Sequence, residues 1–170
     1  MLDRADSLIV HENVADRFVD LLKSHLSSRS ARARDESPMT YRGLFNQASA
    51  DKVNGLVEDA IQQGARIVAG SHHRTENIVQ PVVLQGTSPS MKISSEEIFG
   101  PAMILNTFTT KEQAIEMANS SDYGLAASVY GVSIADRVPL SLSLPPLSDT
   151  DSSLSYLPTD RLSIPPLCNP

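Results

Sequence analysis

A lone cysteine, Cys168, rules out an internal disulfide in this chain of 170 residues, which is the pattern expected in a reducing compartment. Positive charge is also in short supply. Fourteen Lys and Arg stand against 20 Asp and Glu, a formal charge of -6, so there is no long-range attraction for nucleic-acid phosphates or anionic lipid. The densest basic stretch, Arg29, Arg32 and Arg34, is interleaved with Ser and Ala and followed by Asp35 and Glu36, the pattern of a solvated linker. Neither nucleic acid nor a membrane is an expected partner. No apolar run approaches the roughly 18 residues of a membrane span, and Asp3, Arg4 and Asp6 interrupt any apolar leader after Met1. A cytoplasmic location is therefore expected. Also lacking are GxGxxG, a Gly-rich Lys-Ser/Thr loop and GxSxG, so neither a phosphate cradle nor a hydrolase elbow is encoded.

An apolar fraction of 41% with 20% charged residues is ordinary for one globular domain. Ser7 to Val10 suits a buried strand, and Asn13 can cap a helix carrying Val14, Phe18, Leu21, Leu22 and Leu26. After an Arg/Ser/Ala-rich interruption at about Ser27 to Pro38, Ser49 can cap a second helix. That helix buries Val53, Leu56, Val57, Ala60 and Ile61 and ends at Gly64. Strands are expected at Arg66 to Ala69, at Pro81 to Leu84, and at Ala102 to Phe108, the last apolar enough to be buried on both faces. Thr109 with Glu112 makes a capping box for a helix bearing Ala114, Ile115 and Ala118. Ala126 to Tyr130 reads as a strand, and Ser133 to Val138 as a helix stopped by Pro139. The expected fold class is layered α/β over residues 1–138. Residues 139–170 hold seven of the eleven prolines, and their leucines follow no settled period, so this Pro/Ser/Leu-rich tail is expected to be disordered.

ISSEEIFGPA, Ile93 to Ala102, is the most suggestive stretch. As plain structure, Ser94 or Ser95 caps one helical turn, Glu96 and Glu97 favour its positive end, and Gly100-Pro101 ends it. As a binding site, Glu97 is a carboxylate able to accept two hydroxyl hydrogen bonds, and Phe99 offers a face to a planar ring. Periodicity does not choose between the two. His72-His73 lacks the cysteine or spaced acid of a metal site and reads as an exposed turn, while His11 and His25 have no metal-ligand spacing to a neighbour in sequence. Cys168, in Pro-Pro-Leu-Cys-Asn-Pro, has no cation or base nearby in sequence to activate it.

The order SLIVHENVADRF, SADKVNGLVEDAIQQGARIVAG, VQPVVL, SSEEIFGPAMI and TTKEQAIEMANSSDYGLAASVYG resembles the NAD(P)-dependent aldehyde dehydrogenase superfamily over about Ser7 to Arg137. The matched part is the portion of the catalytic domain that follows the nucleophile. The resemblance implies oxidation of an aldehyde substrate to a carboxylic acid with NAD or NADP as cofactor. It also implies that Glu97 accepts hydrogen bonds from the nicotinamide ribose and that Phe99 packs near the nicotinamide. Tyr41-Arg-Gly-Leu-Phe45 is similar to aromatic-aldehyde members, of the vanillin or salicylaldehyde type.

In that family the nucleophilic cysteine falls a few residues before the strand matching SLIV, yet Met1 to Asp6 contains none. The glycine-rich dinucleotide-binding half and the general-base glutamate belong further upstream. The expectation is a fragment, inactive alone and not holding the cofactor stably, with a break at Val138/Pro139 such as a frameshift or retained intron would produce. The rival expectation is a non-catalytic interaction or decoy protein that associates with a full-length relative.

Overall fold

The computed structural model describes residues 7–27, 43–120, 128 and 130. The expected strand at Ala126 to Tyr130, the helix at Ser133 to Val138, the tail and Cys168 lie outside the described residues, except that Ser128 and Tyr130 are described and exposed.

A four-stranded sheet forms the middle layer, in the order β1-β6-β5-β2. β1 (Ser7–His11) pairs parallel with β6 (Ala102–Phe108), from Ser7 opposite Ile104 to His11 opposite Phe108. β6 pairs parallel with β5 (Val82–Gln85), and β5 pairs antiparallel with β2 (Arg66–Gly70) through a register irregularity between Ile67 and Ala69. A hairpin, β3 (Arg74–Thr75) with β4 (Ile78–Val79), stands apart from this sheet. The turn expected at His72-His73 falls instead at Glu76-Asn77, between β3 and β4; the two histidines lie just before β3, with His72 half-buried.

Alternation along β6 explains the two cores. Ala102 and Ile104 face one side and pack with Val82, Leu84 and the apolar face of α2 (Gln47–Gln62). Met103 and Leu105 face the other, with Val83 and the stripe Phe18, Val19, Leu22 and Leu26 of α1 (Glu12–Ser27). Helices thus cover both faces of a sheet whose inner strands are apolar on both sides, as the layered α/β expectation requires.

Several local expectations shift. α1 begins at Glu12, ahead of Asn13, whose N–H is taken by His11 Nδ1 at 3.2 Å. His11 also packs edge-on against Phe108, with ring centroids 5.1 Å apart. Val14 and Leu21 share the helical spacing but face out, 52% and 62% exposed, because the buried stripe is set by Ala15 and Phe18. α2 is capped by Asn46, whose side chain accepts from the N–H of Ser49 at 2.8 Å, so Ser49 is a recipient and not the cap. In α4 (Lys111–Ala118) the capping box is Thr110 with Gln113, one residue later than expected, since Thr110 holds the extended backbone that a cap needs.

Candidate functional site

α3 (Lys92–Ser95) is a single turn whose N-cap, Met91, makes no side-chain cap bond. Ser94 and Ser95 lie inside that turn, not before it. Ser95 Oγ donates back to the Lys92 carbonyl at 3.3 Å, and the Glu96 N–H donates to the same carbonyl at 2.8 Å. Glu96 is the C-cap. Both acids therefore come after the negative end of the turn, where the aligned peptide dipoles disfavour them. The reading of Glu96 and Glu97 as first-turn acids is corrected: helix electrostatics do not account for them.

Beyond α3 the chain changes direction through the irregular stretch Glu97 to Pro101, pinned at both ends. Ile98 is 1% exposed and belongs to the α2-side core. Gly100 is buried against Val53 of α2, and the Pro101 carbonyl accepts from Val82 N at 2.9 Å, which starts the β5–β6 pairing. Between these anchors Phe99 has φ +49 and is 58% exposed. For a bulky non-glycine residue the left-handed region costs about 1–3 kcal/mol, and such strain persists only where the surroundings impose it. Sequence reasoning singles out Glu97 and Phe99, and the structure brings them together on this turn, with Glu97 half-buried.

Lys52, from the first half of α2, was not legible as part of the site. Its Nζ donates to the Glu97 carbonyl at 3.0 Å and stands 3.8 Å from Glu96 Oε2. Glu96 is thus occupied with Lys52, while the Glu97 carboxylate has no hydrogen-bond or ion-pair partner among the described residues. A shallow open groove of about 440 Å³ runs along the Glu96 side between α2 and α3, lined by Asp51, Lys52, Glu58, Lys92 and Glu96; neither Glu97 nor Phe99 lines it.

His72 and His73 make contacts close to the β3–β4 hairpin. His72 Nε2 meets Asn54 Oδ1 at 2.8 Å, and Asn54 donates to Glu58 at 2.9 Å. His73 lies 3.4 Å from Thr75 Oγ1. Arg74 pairs with Asp51, which fastens the β3–β4 hairpin to α2. Among the described residues no group of three or more His, Cys, Asp or Glu could hold a metal ion, and no helix is long and apolar enough to cross a membrane.

The segment is layered α/β, with a half-buried carboxylate at Glu97 and an exposed aromatic at Phe99 held at positive φ two residues apart. The aldehyde dehydrogenase family profile matches residues 4–140, and the chain belongs to that family. It is 32% identical over 128 residues to a non-phosphorylating aspartate-semialdehyde dehydrogenase of Halomonas elongata, covering 74% of this chain and 26% of the relative. It is 36% identical over 135 residues to a sulfoacetaldehyde dehydrogenase of Neptuniibacter caesariensis, covering 77% and 28%. The fold superposes on a salicylaldehyde dehydrogenase of Pseudomonas putida complexed with salicylaldehyde, with TM-score 0.75 and 28% identity, over 82% of this chain and 29% of that one. The chain thus spans about a quarter of the length of the curated relatives it matches.

Proposed function

We propose that these residues form the cofactor-facing part of an aldehyde dehydrogenase catalytic domain, one that oxidises an aldehyde to a carboxylic acid with NAD or NADP. The observation that carries the reading is the turn itself, where Phe99 is held exposed at φ +49 beside a half-buried Glu97. The residues fit a nicotinamide riboside. Glu97 has carboxylate oxygens uncommitted among the described residues, suited to a pair of neighbouring hydroxyls, and Phe99 offers an apolar face to a planar ring. The bound nicotinamide would supply the acceptor for the hydride leaving the substrate.

In this reading Glu97 fixes the ribose by accepting both hydroxyl hydrogen bonds, and Phe99 shields that end of the site from water. Lys52 holds the Glu97 backbone, so the carboxylate acts from a fixed position. Such orientation is where the catalytic gain of a group remote from the reacting bond comes from. The only thiol among the 170 residues is Cys168, and the chain by itself is expected not to oxidise aldehydes. For the substrate we favour an aromatic aldehyde, on the Tyr41 to Phe45 stretch.

The test is a chimera in which residues 7–120 replace the matching segment of a full-length relative. Glu97→Gln should slow hydride transfer by a factor on the order of 10 to 100, as a weakened orienting bond does. Glu96→Gln should leave it nearly unchanged, because Glu96 faces Lys52. Equal losses in both variants, or none in Glu97→Gln, would return the turn to a purely structural role.

A further inference from the structure

We infer that Val53 is a positioning residue: it is the seat on which the Glu97–Gly100 turn rests, so that α2 sets the direction in which Glu97 and Phe99 face outward. The inference deepens the cofactor reading above and rests on it for its functional meaning. A Cβ on Gly100 would stand well inside van der Waals contact with Val53 Cγ2, 3.0 Å from Cγ1 and 3.2 Å from the valine Cβ. The backbone of Gly100 is therefore laid directly against this side chain.

Val53 is a firm support. It is 1% exposed, with Ala50, Leu56 and Val57 of the same helix buried around it. Its branched side chain has one strongly preferred rotamer in a helix, so swinging aside would cost it that preference. Ile98 is locked into the same core two residues before Gly100. Lys52, the neighbour of Val53, takes the Glu97 carbonyl at 3.0 Å. Two consecutive residues of α2 thus grip both ends of the turn, and Phe99 spans the gap in the left-handed region because its flanks cannot move. Gly100 itself is not among the positive-φ glycines, so the constraint at this position is space and not backbone conformation.

That distinction makes compensation the decisive test, using the full 170-residue chain. The readout is the three-bond HN–Hα coupling of Phe99, which reports its φ, measured beside the melting temperature. Gly100→Ala should push the turn off Val53 and shift the coupling. Val53→Ala should loosen the seat and shift it as well. The double variant removes both Cγ contacts and leaves only the Cβ of residue 53 at 3.2 Å, a contact that a small shift relieves, so it should recover the parent coupling while still melting below the parent. A lower melting temperature with an unchanged Phe99 coupling in Gly100→Ala would reduce the contact to ordinary packing and overturn the inference. So would failure of the double variant to recover the coupling. Should Gly100→Ala not fold, a folded double variant with the parent coupling supports the seat, and an unfolded or altered one overturns it. The coupling is read without cofactor, so its outcome is independent of the Glu97→Gln chimera, and either idea can fail alone.

Discussion

Lys52 Nζ donates to the backbone carbonyl of Glu97 at 3.0 Å across 45 residues of sequence. This bond ties α2 to the turn that carries the candidate ligand residues. Lys52 is 48% exposed at its side chain and Glu96 47%, so the accompanying ion pair adds little to stability. Lys52→Met should cost no more than about 1 kcal/mol by urea denaturation, the range of exposed pairs. It should nevertheless shift the carbonyl ¹³C resonance of Glu97. An unmoved resonance would mean that the bond is not formed in solution.

Asn46 and Ser49 separate two assignments of the α2 cap. Asn46 accepts from the Ser49 N–H at 2.8 Å, so Asn46→Ala should destabilise the chain by about 1 kcal/mol, the usual value of a lost cap. Ser49→Ala, by contrast, should change the urea midpoint little, because the Ser49 backbone and not its hydroxyl makes the bond.

Two glycines should respond in opposite directions. Gly55 lies within α2 with open space where a Cβ would be, so Gly55→Ala should stabilise by roughly 0.5–1 kcal/mol through helix propensity. Gly70 has φ +80, and a Cβ there would collide with the Pro81 carbonyl. Gly70→Ala should lose at least about 1–2 kcal/mol from the left-handed backbone alone. Thermal melts of the two variants, moving up and down respectively, check the pair.

Leu84 is fully buried on β5 and packs in the α2-side core. Leu84→Ala should cost about 2–5 kcal/mol. Leu21→Ala, at a position 62% exposed on α1, should lie within about 0.5 kcal/mol of the parent. Both are read from chemical denaturation, and a similar loss for the two would contradict the direction assigned to α1.

Long apolar patterns were legible in the sequence because burial on one or both faces leaves a periodic trace. Val53, Leu56, Val57 and Ala60 announce α2, and Ala102 to Leu105 announce a strand covered on both sides. Caps were misplaced by one to three residues, as with Asn46 and Thr110, because Ser, Thr and Asn close together all satisfy the same rule. Which of them caps depends on which backbone is extended. Val14 and Leu21 illustrate a related limit: helical spacing admits neighbouring stripes, and packing against β1, β2 and β6 selects the one through Phe18 and Leu22.

By itself, then, the sequence determined an α/β segment of the aldehyde dehydrogenase family and pointed to Glu97 and Phe99, since ordered motifs and apolar periods are local properties of the chain. Only the tertiary structure decided that the two acids come after a helical turn instead of leading one, that Phe99 is forced to a positive φ, and that Lys52 and Val53 of α2 hold the turn in place. The hold of Lys52 and Val53 on the turn comes from contacts between segments more than 40 residues apart, of which the spacing within either segment carries no record, while the place of the acids follows from the local bond of the Glu96 N–H to the Lys92 carbonyl.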